Sequence, residues 1–359
     1  MPADPIDWAL AQRVASRVGG SNQFAKSYHH DSLEPDFAEL TSLAEDLVAE
    51  ETGLRSLSGP ARARVVSRGE WVAVNLGSFQ RLLRPLLERM GAELHGPLSI
   101  PAGAFAGLEI GTLLGWMSSR VLGQYDVMIA DDNPEDGDVV YYVGPNVLAI
   151  EKRYGFAPRE FRLWLALHEV THRAQFTGVP WMRDYYVTLI KATMGSLEPD
   201  PSRFLEALKR ALGDVRNGKN PLLDAGIVGL LAGNEQRLAM DRIAGLMSLL
   251  EGHGDTTMSR AGTSSVPSAH RFATVLSGRR SEVKGVARMV RIALGLEAKM
   301  RQYEEGERFI EAVEATRGRT FLDRAWTSSE ALPKLQEIRD PASWISRVST
   351  LAPPALSGV

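Results

Sequence analysis

The sequence predicts a mainly α-helical protein carrying one small antiparallel β-sheet, an α+β class. Three observations predict it. Apolar residues recur at helical spacing over long stretches, one short segment holds β-type runs broken by turn residues, and one apolar run is bracketed by Pro158 and Gly178.

From Pro5 to about Gly53 the apolar spacing is helical, and a second helical run from Trp71 to Met90 carries Leu82, Leu83, Leu86 and Leu87. Gly107, Gly111 and Gly115 follow at four-residue spacing, which lets helices approach closely. Asp126–Ala130, Val139–Val143 and Val147–Ile150 are the β-type runs, separated by acidic, Pro and Gly turns. Pro158 sits where a first helical residue would, and the run to Phe176 is apolar almost all round, as in a buried helix. A further helix is expected from Asn234 to Met258, then a Ser-, Gly- and Pro-containing loop from Gly262 to Ala269, then mostly charged helix from Arg271 to Thr316. Ala331 to Ser349 reads as an extended, Pro-punctuated tail ending in an amphipathic turn. The organisation predicted is a helical region over 1–124, a catalytic region over 125–330 holding the sheet and the two site helices, and a tail over 331–359 packing on the body.

Composition narrows the function. An apolar fraction of 44%, a charged fraction of 24% and a formal charge of -3 describe an ordinary globular protein with no pull toward nucleic acid. There is no cysteine, so disulfides, thiolate metal sites and a cysteine nucleophile are out, and any metal falls to His, Asp or Glu. No stretch reads as a signal peptide or as long enough to cross a bilayer, so a cytoplasmic protein without a membrane partner is expected.

Residues 168–172 read His-Glu-Val-Thr-His, the H-E-x-x-H pattern, inside the predicted buried helix. Residues four apart share a helix face, roughly 6 Å apart along the axis, so His168 and His172 can reach one ion. Glu169, one residue on, is placed to take a proton from a water on that ion. Two imidazoles need a third protein ligand and an open position before Zn2+ can activate water. The extended metzincin pattern fails, because Gln175 and Gly178 stand where Gly and His are needed. A downstream carboxylate or histidine is then needed, and Glu251, Glu235 and His253 are the candidates.

Glu251 and Asp255 reproduce the E-x-x-x-D spacing of thermolysin-like gluzincins. That resemblance implies that Glu251 binds zinc and that Asp255 supports a ligand histidine from behind. Gly252 and Gly254 weaken the helix between them. Tyr303, His253, Arg301 and Tyr185 have the chemistry to stabilise an oxyanion.

The whole chain resembles an actinobacterial family of zincin-like hydrolases, one branch of which is associated with biosynthesis of a deazaflavin coenzyme. The resemblance rests on Arg68-Gly-Glu-Trp71, Leu108–Met117, Tyr142-Val-Gly-Pro-Asn146, Leu167–His172, Leu250–Asp255, Lys299–Tyr303 and Asp340–Trp344. It implies a mostly helical zincin-like metalloprotease fold, and it carries His168, Glu169 and His172 directly onto the family's motif.

Two functions stay open at this point. One is zinc-dependent hydrolysis of a peptide or other amide, with Glu169 as general base and an edge strand, Val139–Val143 or Val147–Ile150, binding extended substrate. The other is a zinc-stabilised scaffold without turnover.

Overall fold

The computed structural model describes residues 6–20, 24, 27–91, 99–127, 138–194, 234–263, 265–281 and 296–351. Helices dominate, and among the described residues three strands form one sheet. The chain divides into two compact units, Met1–Gly178 with Arg260–Phe272 and Val179–Ser259 with Ala273–Val359. No described helix is long and apolar enough to cross a membrane.

In the first unit the order is α1 (Trp8–Gly19), α2 (Tyr28–Asp31), α3 (Leu33–Thr52), β1 (Arg62–Val66), α4 (Arg68–Gly91), α5 (Ser99–Ser118), β2 (Gly123–Tyr125), β3 (Val139–Val143), α6 (Gly144–Tyr154) and α7 (Pro158–Thr177). Asp7 caps α1 by accepting the Leu10 N–H at 2.8 Å. The glycines of α5 face α1 at backbone distance. A Cβ at Gly107, Gly111 or Gly115 would stand 2.4, 2.4 and 2.6 Å from the carbonyls of Asp7, Ala11 and Ala15. Beneath this pair lies a core of Trp71, Val72, Leu76, Leu114 and the inward face of β3.

The sheet is mixed rather than antiparallel. Its order is β1-β3-β2, with β3 parallel to β1 and antiparallel to β2. The consecutive strands β2 and β3 pair antiparallel, so β3 returns to the direction of β1, beside which it pairs in parallel. β1 is short, with Arg62 and Arg64 exposed and only Val66 fully buried, so its alternation is too brief to stand out. Two further expectations are corrected. Val139–Val143 is the central strand, paired on both sides, and Val147–Ile150 lies within helix α6. Pro145 in the first turn starts that helix, and Gly155 in the left-handed region ends it. Being buried on every side, its apolar run carries no period that would separate it from a strand. Of the run Asp126–Ala130, residues 128–130 lie outside the described residues.

After α7 come α8 (Met182–Met194), α9 (Asn234–Ala261), α10 (Ala269–Ser281), α11 (Leu296–Arg317), a 3-10 turn (Arg319–Trp326), α12 (Leu335–Arg339) and α13 (Pro341–Thr350). Helix α9 runs unbroken through Gly252 and Gly254. Packing explains Gly252: a Cβ there would lie 2.3 Å from the carbonyl carbon of Gly306 on α11. Residues 335–350 are not an extended tail. They form α12 and α13, stapled where Arg347 Nε donates to Glu337 Oε1 at 2.6 Å and Trp344 Nε1 donates to the Ala331 carbonyl at 2.8 Å. Trp344 is the centre of that small core, with Phe309 and Phe321 edge-on to it at 5.2 and 5.7 Å.

The glycine ladder gives a direct test. Gly111→Leu drives a side chain into the α1 backbone and should cost about 2 kcal/mol or more in urea unfolding. Leu108→Ala, on an exposed position of the same helix, should stay within roughly 0.5 kcal/mol of wild type.

Candidate metal centre

Helix α7 starts on Pro158, pre-set for a first turn, and ends where the Gly178 N–H returns to the Ala174 carbonyl at 2.8 Å. It packs against α3 and β2. From Phe161 to Phe176 every residue is buried except His168 and His172. Near its start Phe161 stacks on Trp164, both meet Phe272 edge-on, and Phe156 tilts against Phe161. The polar residues on so buried a helix must each find a partner inside. Arg162 grips Glu151 through both carboxylate oxygens at 2.8 and 3.0 Å and also pairs with Asp36. Arg173 does the same with Asp138 at 2.9 and 2.5 Å, and reaches Glu45 at 2.6 Å.

The two histidines face each other. Their Nε2 atoms are 3.3 Å apart, with the rings nearly perpendicular at 84°. Behind His172, Nδ1 lies 2.9 Å from Oε1 of Gln175, a fully buried side chain one turn along. With the amide oxygen accepting, Nδ1 carries the proton and Nε2 keeps its lone pair toward His168. Each histidine offers one ring nitrogen to an ion, and in the other unit Glu251 is 2% exposed on α9. Two neutral imidazoles completed by one carboxylate would be a donor set that suits zinc and leaves a coordination position open.

Glu169 is turned toward β2. Its Oε2 accepts the Tyr125 N–H at 3.1 Å, and it is buried to 7% exposure. A Cβ on Gly123 would stand 2.7 Å from both Cγ and Oε1 of Glu169. Nearby, burial pushes the Tyr142 hydroxyl above its ordinary pKa, and the charge of Glu169 adds to the shift. That hydroxyl therefore stays protonated, 2.8 Å from Thr41 Oγ1.

The other residues singled out in the sequence fall as follows. Asp255 is half-buried, one turn beyond Glu251 on α9. His253 is buried, with its ring edge-on to Trp326 at 5.0 Å. Tyr185 is half-buried against Trp181, its hydroxyl pKa raised by burial, and Glu235 is exposed at the start of α9. The side chains of Arg301 and Tyr303 lie outside the described residues. Sequence reasoning missed Gln175, although its place three residues after His172 on one helix face was a usable signal. Gly123 and Tyr125 carried no signal at all, because their contact with Glu169 depends on long-range strand placement.

With this geometry in view, the comparisons with known proteins are specific. A zincin-like metallopeptidase family model matches residues 6–345. The chain belongs to the zincin-like metallopeptidase family. A solved structure from Chloroflexus aurantiacus, described as a candidate hydrolase with a novel fold, is 31% identical. The match covers 97% of this chain and 100% of that one, at a TM-score of 0.71. No curated protein matches. Family and relative together support a hydrolase, and the family suggests a metal, typically zinc.

Gln175 generates its own expectation. Gln175→Leu keeps the volume but removes the acceptor behind His172, and metal affinity measured by chelator competition should fall roughly 10 to 100 fold. A wild-type affinity would mean that the ring needs no such support.

Proposed function

We propose that the protein is a zinc-dependent hydrolase that cleaves an amide bond, most plausibly in a peptide. One observation carries this reading: on a helix buried everywhere else between Phe161 and Phe176, the two open positions are His168 and His172, with Nε2 atoms converging at 3.3 Å. A polar seam serving only the fold would have both imidazoles covered, as Arg162 and Arg173 are. In this reading the chain also belongs to the actinobacterial branch it resembles, part of which is associated with deazaflavin coenzyme biosynthesis.

His168, His172 and Glu251 would hold the metal, with Gln175 keeping the tautomer of His172. Zinc bound there would lower the pKa of water and polarise an amide carbonyl. Glu169 would serve as general base toward the attacking water and pass the proton to the departing amine. Asp255 supports a ligand from behind, while His253 and Tyr303 have the chemistry for the oxyanion. Extended substrate cannot pair with β3, whose two sides are taken by β1 and β2, so strand addition in this protein needs an outer edge of the sheet.

Purified protein is expected to hold about one zinc per chain and to release it as pH falls through the histidine range, because only neutral imidazole binds metal. His168→Ala and His172→Ala should abolish binding, and Glu251→Ala should weaken it far more than Asp255→Ala. Elemental analysis across a pH series checks all of these. Zinc lost in Glu235→Ala or His253→Ala, with Glu251→Ala unaffected, would move the third ligand.

Glu169→Gln keeps size and helix propensity but removes the base. Zinc should remain, and cleavage of a mixed peptide library should fall by roughly 10² to 10⁴ fold. Zinc ejected by that change would make Glu169 a ligand, and unchanged cleavage would place hydrolysis elsewhere.

A further inference from the structure

The strand that seats Glu169 is a three-residue piece, β2, at the outer side of the sheet. In an antiparallel pair, alternate residues exchange hydrogen bonds with the partner strand. The Val143 N–H bonds the Leu122 carbonyl at 2.8 Å, and the register places Gly123 opposite Tyr142. The N–H groups of Gly123 and Tyr125 therefore point away from β3. The Glu169 carboxylate accepts from the outward Tyr125 N–H and occupies the space a Cβ on Gly123 would take.

We infer that Gly123 is a positioning residue for Glu169: its missing side chain is the space in which the carboxylate of the base is held against the strand. The inference rests on the assignment of Glu169 as the base. The distances decide what a methyl group would do. At 2.7 Å from Cγ and Oε1 of Glu169, a Cβ on residue 123 overlaps both, and one of the two side chains must give way. The backbone of β2 is fixed by its pairing with β3, whereas the carboxylate is the end of a rotatable side chain, so the carboxylate moves. The three nearest atoms to that Cβ all belong to Glu169, so the methyl acts first on the carboxylate. The backbone torsion of Gly123 is not left-handed, so space rather than conformation demands glycine here.

The test uses the full chain loaded with cobalt in place of zinc, and acetohydroxamate as probe, bound through the metal and followed by the visible spectrum of the ion. A hydroxamate hydroxyl donates to a carboxylate placed beside the metal, so its affinity reports where the Glu169 carboxylate lies, with no substrate needed. Gly123→Ala is expected to keep stoichiometric cobalt and weaken acetohydroxamate about 10 fold, the size of one hydrogen bond to a charged group. Glu169→Ala should weaken it at least as much. In the Glu169→Ala background the glycine substitution should then cost nothing, since there is no carboxylate left to displace. Wild-type probe affinity in Gly123→Ala beside a loss in Glu169→Ala overturns the positioning role and leaves the base intact. Probe affinity unchanged in both removes Glu169 from the metal's side, and the positioning role falls with the base. Additive losses would show that Gly123 acts through the fold, which also overturns it. Should Gly123→Ala not fold by itself, recovery of the fold with Glu169→Ala supports the contact, and failure in both backgrounds overturns it.

Discussion

The first unit depends on one constraint: α7 is buried along almost its whole length and yet carries two buried guanidinium groups, a buried glutamate and two histidines. A buried guanidinium without a partner is costly enough to unfold a domain. Arg162 and Arg173, at 2% and 1% exposure, explain why acids from several segments converge on this helix. Asp36 and Glu45 come from α3, Glu151 from α6, and Asp138 from the entry to β3. Asp138 even takes a left-handed backbone, φ 60°, to offer Arg173 both oxygens. With those charges tied down on its covered faces, the helix has fixed rotation, and the histidines are left on the side that remains open.

How much of this was legible in the sequence follows from the range of each interaction. Helix α7 and the pairing of His168 with His172 were readable because both lie within one turn-and-spacing pattern. Glu251 was singled out only by analogy of spacing, because no local pattern links it to a helix roughly eighty residues earlier. The sheet was half legible. Val139–Val143 stood out by composition, but its neighbours did not, since Arg62–Val66 is short and charged and Gly123–Tyr125 is three residues long. Val147–Ile150 misled because burial on every side erases the difference between helical and strand periods. The residues after 331 misled in another way: prolines suggested an extended chain, whereas Pro341 opens α13 and the Arg347–Glu337 pair closes the turn.

Two of the segments on which the family resemblance rests meet in space, which gives them a physical meaning that neither has alone. Arg68 donates from Nε to Asn146 Oδ1 at 2.8 Å and from Nη1 to the Gly19 carbonyl at 2.7 Å. Asn146 passes the connection on, donating to the carbonyls of Ser118 and Val121, both at 2.7 Å. These bonds take up carbonyls at the ends of α1 and α5, where helices leave them unsatisfied. They also fix the chain two residues before Gly123. Glu169 on α7 is thus braced against a strand that is itself braced by an arginine and an asparagine.

The contact between α1 and α5 has a consequence for alignment. Gly107, Gly111 and Gly115 repeat every fourth residue, and so do the carbonyls of Asp7, Ala11 and Ala15 that they receive. A repeating ladder grips well but is nearly blind to a slip of one rung, which would carry α5 about 6 Å along its neighbour. Its ends break the degeneracy. The Asp7 N–H bonds the Gly103 carbonyl at 3.0 Å, and at the other end Ser118 Oγ fills the space a Cβ on Gly19 would need, 2.6 Å away. The ladder behaves like a vernier scale, in which the even divisions supply closeness and two uneven marks supply the reading. A chain arrested one rung out would keep its helices and most of its buried area, but Leu122 would miss Val143 and the short outer strand would have no address on the sheet.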